Sequence, residues 1–199
     1  MGLTTGADLP IRVRMSALVR NLELVGPSGP MTLRDGSAVQ LRSIDGDDEG
    51  GLRAFLEGVS PDSLRRRFCG ATDLACAATS LVGHYGADDV AVVAQAAASA
   101  AIVAHAALYR IGAARAEVAF LVTDSWQGRG LGALLLSRLA EFAEQRGMRT
   151  LVADVLPGNR AMVAVFEGSG YTVEVRRRAH GVEVEIDVTS SVPVLARAA

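Results

Sequence analysis

The run Glu117-Val-Ala-Phe-Leu-Val-Thr-Asp-Ser-Trp-Gln-Gly-Arg-Gly-Leu-Gly132 constrains this chain more than any other stretch. It begins as an apolar strand, passes through a short polar turn, and enters a glycine-rich loop that opens a long helix. Gln127, Gly128, Arg129, Gly130, Leu131 and Gly132 spell Q-x-x-G-x-G. Glycines at alternate positions leave few side chains to block an anion and let the backbone adopt conformations other residues disfavour. The first N–H groups of a helix lack partners and carry roughly half a positive charge, so a phosphate settles there. The loop is therefore a candidate pyrophosphate cradle.

Around it the chain supports a mixed sheet flanked by helices. Ser37–Ile44 alternates as a first strand, and Asp45–Asp48 would cap a helix over Glu49–Gly58. Ser60-Pro61-Asp62 starts a second helix with proline at its first position. Asp73–Val82 forms a third. Val90–Ala96, Ala100–Arg110 and Arg115–Thr123 follow as an antiparallel meander. Alanine is a weak strand former, so a helix over Val92–Ala107 stays open. Arg129–Arg146 is the clearest helix, with Leu131, Leu134, Leu135, Leu139 and Phe142 on one stripe and Gly147 as its C-terminal cap. A strand at Thr150–Val155, a helix at Arg160–Gly168 and a hairpin of Gly170–Arg178 with Val182–Val188 complete the order.

Residues 1–30 read as an N-terminal extension containing a short amphipathic helix at Met15–Val25. Residues 189–199 read as a tail. The 199 residues suit one domain. A net charge of −2 gives no general case for nucleic-acid binding. No apolar run reaches the roughly 18 residues of a membrane span, and no secretion signal opens the chain. Cys69 and Cys76 have no metal-like partners, which fits reduced thiols and a cytoplasmic location. His84, His105 and His180 form no spaced ligand set, so no metal is expected; His105 lies in an apolar run and is expected to be a satisfied core residue.

Two phosphate chemistries fit the glycines. Gly128, Gly130 and Ala133 also satisfy the dinucleotide pattern G-x-G-x-x-A, with Asp154 near the ribose carboxylate position. Against it, Asp124–Gln127 separates strand from glycines, where that turn is normally tight. A P-loop fails because no Gly-Lys-Ser/Thr follows.

A family resemblance favours the other chemistry. Glu117–Val122, Trp126–Gly132, Asn159-x-x-Met162 and Phe166-Glu-Gly-Ser-Gly-Tyr171 together resemble the GNAT superfamily of acetyl-CoA-dependent N-acetyltransferases over about Thr32–Val188. Ser63-Leu-Arg-Arg-Arg-Phe68 and the placement of Glu117 are similar to the bacterial Pat-type protein lysine acetyltransferases. The resemblance implies an α/β GNAT fold over residues 31–188, with a mixed, mostly antiparallel sheet of about seven strands. It implies acetyl-CoA as cosubstrate and an amine acceptor. That acceptor is a lysine on a protein such as an acyl-CoA synthetase, or a small amine; a non-catalytic acyl-CoA-binding module is the third reading.

The resemblance also assigns residues. Leu121 and Val122 would pair with pantetheine, and a backbone N–H near Val122 would polarise the thioester. Gln127–Gly132 would hold the pyrophosphate, with Arg129 reaching a phosphate. Asn159 would touch pantetheine or an ordered water, although asparagine is also a favoured helix N-cap. At pH 7 only roughly one lysine in 2,500 is neutral, so a base helps. Glu117 matches the family's catalytic glutamate, and burial among Val118, Ala119 and Phe120 would raise its pKa. The alternative is a strand glutamate paired with Arg110 or Arg115. Phe166 stands where many relatives carry a tyrosine that protonates the leaving thiolate. Phenylalanine cannot, but a thiol pKa of about 8.5 lets the thiolate leave unaided, with Phe166 packing against the cosubstrate.

Overall fold

The computed structural model describes residues 29–68, 73–83, 85, 88–179 and 181–190. The expected helix at Met15–Val25, and Cys69, His84 and His180, lie outside them. Eight strands form one sheet in the order β1-β2-β3-β4-β5-β6-β8-β7. They are β1 (Met31–Thr32), β2 (Ala38–Ser43), β3 (Val90–Ala96), β4 (Ile102–Arg110), β5 (Arg115–Val122), β6 (Thr150–Val155), β7 (Thr172–Arg178) and β8 (Gly181–Asp187). The strand beyond the expected seven is the two-residue β1. Every neighbouring pair is antiparallel except β5–β6. One parallel pair beside a meander is not a strand–helix–strand repeat, so the dinucleotide fold is excluded.

Three helices cover one face: α1 (Glu49–Glu57), α2 (Pro61–Phe68) and α3 (Leu74–Val82). Leu52, Phe55, Leu56, Ala78 and Leu81 pack there with Ala91, Val93, Ala107 and Leu121. On the other face α4 (Leu131–Gln145) and α5 (Arg160–Glu167) pack Leu135, Leu136, Leu139 and Phe166 against Val92, Ala94, Ala106, Leu108 and Val118. Burial of each such leucine contributes about 1.5–3 kcal/mol.

Cover on both faces explains the composition of β3 and β4. A strand buried on both sides reads as a continuous apolar run, and β3 and β4 are buried along almost their whole length. Small alanines let the helices approach closely. That packing, rather than intrinsic propensity, makes Val92–Ala107 two strands instead of a helix. The register slips between Ala94 and Gln95, so Val103 is an extra residue on β4.

The helix caps follow the residue chemistry. The Ser60 hydroxyl accepts from the Ser63 N–H with Pro61 at the first helical position. Asp73 caps α3 through the Cys76 N–H. Asp45 and Asp48 form a reciprocal capping box on a short 3-10 turn ahead of α1. Helix α4 starts at Leu131, two residues later than expected, because Gly130 takes a φ of 91° that no right-handed helix accommodates.

Candidate active site

Strands β5 and β6 pair through only three residues, Arg115 with Thr150, Ala116 with Leu151 and Glu117 with Val152. Beyond that point they part, although β5 continues to Val122 and β6 to Val155. The Thr123 N–H donates to the Val103 carbonyl, which sets the odd-numbered residues of β5 to bond with β4. Phe120 and Val122 therefore point their N–H groups into the gap.

A cavity of about 450 Å³ occupies this gap and crosses the sheet. Phe120, Val122, Met162, Val165 and Phe166 wall it on the α4–α5 side; Leu121, Ser63, Arg66 and Arg67 reach it from the side of α2. Phe166 is fully buried and meets Phe120 edge-on, with ring centroids 6.0 Å apart. Gly128, Gly130 and Gly132 form one end. Gly128 also has a positive φ, 75°, and a side chain there would meet no atom within 4 Å. The first bond of α4 runs from the Leu134 N–H to the Gly130 carbonyl, and Gly130 offers no side-chain cap. The N–H groups of Leu131, Gly132 and Ala133 therefore lack helical partners.

A polar tether fixes this loop. Asp124 accepts from the Ser60 N–H (2.8 Å), the Ser60 hydroxyl (2.8 Å) and the Ser63 hydroxyl (3.0 Å). Those hydrogen bonds, the Ser60 N–H foremost, hold the Asp124 carboxyl below the usual range. The Gln127 amide donates to the Ser63 hydroxyl and to the Val122 carbonyl at 3.1 Å. Gln127 thus acts through its side chain, joining α2, the end of β5 and the loop. Sequence reasoning missed Ser63 and Asp124 as site residues; the Ser60-Pro61 helix start marked their neighbourhood without marking their partner.

The other expected residues divide. Asn159 lines the cavity and also caps α5, accepting from the Met162 N–H. Leu121 contributes its side chain to the α1–α3 core and pairs with His105. Arg129 does not line the cavity, contrary to expectation. Its guanidinium pairs with Asp35 at 2.9 Å, donates to the Ser125 carbonyl and stacks on Trp126. Glu117 is exposed rather than buried. Val118 and Phe120 point to the opposite face, so they cannot shield it. Nor does it pair with Arg110 or Arg115, which bind Asp88 and Glu185; among the described residues it has no side-chain partner.

Two further groups sit on the α1–α3 face. His105 is completely buried; the Tyr85 hydroxyl lies 3.5 Å from its Nε2, and its Nδ1 has no partner among the described residues. It is buried as expected but only half satisfied. Burial, with the nearby Arg67 cation, pushes its pKa down to about 3. Tyr85 stacks on Tyr109 at 5.8 Å, and Tyr109 pairs across the ladder with Glu117. Arg65 and Arg66 pair with Asp62, while Arg67 turns over the Phe68 ring. Tyr171 is half-buried outside the cavity, with its pKa raised by desolvation and then by Glu144 and Glu141. Among the described residues no cluster of metal-binding side chains occurs and no helix is long and apolar enough to cross a membrane.

The acetyltransferase (GNAT) family model matches residues 62–171, which include the parted strands, the glycine loop and α5. The chain belongs to the GNAT acetyltransferase family. It is 34% identical over 163 residues to acetyltransferase Pat of Mycolicibacterium smegmatis, covering 80% of this chain and 48% of that protein. The chain thus spans about half the length of that curated relative. The GNAT domain of S. lividans PAT is 35% identical with a TM-score of 0.72, covering 80% of this chain and 96% of that one. A spermidine N-acetyltransferase from Vibrio cholerae, solved with CoA and spermine, shares the fold at 16% identity and a TM-score of 0.61, over 76% and 96% of the two chains. The comparisons therefore relate the chain to the Pat acetyltransferases within that family.

Proposed function

We propose that this chain transfers an acetyl group from acetyl-CoA directly to the side-chain amine of a protein lysine. The observation that carries the proposal is the parting of β5 from β6 just beyond Glu117 and Val152. It creates a passage through the sheet with bare helix N–H groups at one end, and Glu117 is the residue before Val118, which lines it.

The residues present fit acetyl-CoA. The apolar wall of Phe120, Met162, Val165 and Phe166 suits the pantetheine arm, and the bare amides of Leu131–Ala133 suit the pyrophosphate. Bound there, acetyl-CoA supplies an activated acyl group. The Phe120 and Val122 N–H groups are oriented to donate to the thioester oxygen, which favours the developing oxyanion.

Glu117 is the proposed base. It lies on the opposite face of β5 from the pantetheine wall, three residues and about 10 Å along the strand from Phe120. An amine and one water span such a gap, so the proton passes through water to an accessible carboxylate. No tyrosine lines the cavity among the described residues, and Phe166 can only pack, so the thiolate would leave unprotonated.

The charged residues lining the cavity are Arg34, Arg66, Arg67 and Asp154. One carboxylate among three cations does not suit a polycationic acceptor. Similarity to Pat favours a lysine on a protein, an acyl-CoA synthetase being the first to try. The test is thiol release from acetyl-CoA with a panel of acyl-CoA synthetases, polyamines, amino acids and aminoglycosides. Glu117-dependent turnover on a protein supports the proposal. Turnover only on a small amine replaces the acceptor, and tight binding without turnover on any acceptor points to an acyl-CoA-binding module.

A further inference from the structure

We propose that Arg34, on the turn between β1 and β2, binds the diphosphate of the acyl-CoA, and that the Asp35–Arg129 ion pair positions it. The inference rests on the reading of the cavity as an acyl-CoA site.

Arg34 lies far from the glycine motif in sequence and adjoins it in space. Its Cγ, Cδ and Nε all come within 3.6 Å of where a side chain on Gly130 would begin. The arm therefore runs across Gly130, the residue that opens α4. Arg34 lines the cavity, is exposed, and has no hydrogen bond or ion pair among the described residues. Of the other cations at the cavity, Arg66 is paired with Asp62, and Arg67, which lies over the Phe68 ring and keeps a buried Nε without a partner among the described residues, reaches the cavity from the α2 side, away from Gly130.

What holds Arg34 there is its neighbour. The turn closes on itself through the Leu33 N–H to Ser37 carbonyl bond and the Gly36 N–H to Leu33 carbonyl bond. Asp35 caps the turn by accepting from the Ser37 N–H and hydroxyl, and its free carboxylate oxygen takes Arg129 at 2.9 Å. Arg129 is in turn anchored to the Ser125 carbonyl and the face of Trp126. The glycine loop thus grips the turn, and the grip aims Arg34 across Gly130. A guanidinium beside bare helix amides matches a diphosphate by charge-assisted, forked hydrogen bonds. Arg129, the arginine inside the motif, serves as a positioning residue; Arg34 makes the contact.

The experiment is calorimetric titration of acetyl-CoA, 3′-dephospho-acetyl-CoA and acetyl-pantetheine into wild type, Arg34→Ala, Arg34→Lys, Arg129→Ala and the Arg34→Ala/Arg129→Ala double variant. Arg34→Ala should weaken both CoA thioesters alike, about tenfold, and leave acetyl-pantetheine unchanged. Arg34→Lys should recover part of the loss. Arg129→Ala should give a smaller loss that vanishes in the Arg34→Ala background, since one acts through the other. Arg34 is exposed, so melting temperatures should stay at the wild-type value. Wild-type affinity in Arg34→Ala, a loss confined to the ligand with the 3′-phosphate, or additive losses would each overturn the inference. If the wild type itself does not prefer acetyl-CoA to acetyl-pantetheine, the acyl-CoA reading of the cavity fails, and this inference with it.

Discussion

Glu117 and Val152 are the last paired residues of β5 and β6, and the sheet opens immediately beyond them. Glu117 does not itself line the cavity but adjoins Val118, which does, and its exposed carboxylate has no side-chain partner among the described residues. Glu117→Gln keeps the shape and removes the base. Turnover should fall by roughly 10²–10⁴ while acetyl-CoA affinity stays near wild type. Steady-state kinetics at neutral pH, with a separate binding titration, checks both halves. An unchanged rate removes Glu117 from the mechanism.

Gly130 is the backbone hinge between loop and helix. At φ 91° a residue with a side chain is strained, and the added atom would press on the Arg34 arm. Gly130→Leu should weaken acetyl-CoA binding by at least about tenfold. Circular dichroism should show the fold retained. Unaltered affinity counts against the cradle assignment.

Asp124 ties two parts of the chain that are 64 residues apart in sequence. Asp124→Ala strands two serine hydroxyls and one N–H at the start of α2, so denaturant titration should show a loss of about 1 kcal/mol. The second effect is functional: α2 and Gln127 are freed together, so KM for acetyl-CoA should rise more than kcat falls. A normal KM with lowered stability would leave Asp124 a purely structural residue.

These tethers mark what the sequence does and does not disclose. Glu117–Gln145 is legible because its pattern is local: an apolar run, glycines at alternate positions, then leucines at helical spacing. The cap residues Ser60 and Asn159 are legible for the same reason. Arg34, Ser63 and Asp124 are not, because their roles exist only once β1–β2, α2 and the loop meet. Arg129 shows the same limit: motif position suggests a phosphate, while its ion-pair partner Asp35 comes from the distant β1–β2 turn. Glu117 was expected to be buried because its neighbours are apolar. Alternation along β5 instead sends Val118 and Phe120 to the far face and leaves Glu117 exposed at the last β5–β6 pair. The alanines of β3 and β4 carry little local preference, and only the helices on both faces decide their state.

His105 should make stability pH-dependent in a window set by its buried ring. Its pKa is about 3 in the folded chain and about 6.5 when unfolded. The unfolded state therefore takes up the proton first as pH falls. The neutral ring's contribution is whole above about pH 6.5 and declines toward pH 3, by up to about 1.4 kcal/mol per pH unit. Tyr85 faces Nε2 but accepts no charge, and Arg67 opposes protonation, so nothing described around the ring offsets the loss. His105→Leu removes this titration and leaves the carboxylates, whose own acid effects cancel in the difference. Urea denaturation of both proteins at pH 7, 6, 5 and 4 should show the wild type losing ground to the variant at each step down. A constant difference across that range would mean that the ring gains its proton without cost, through access to water.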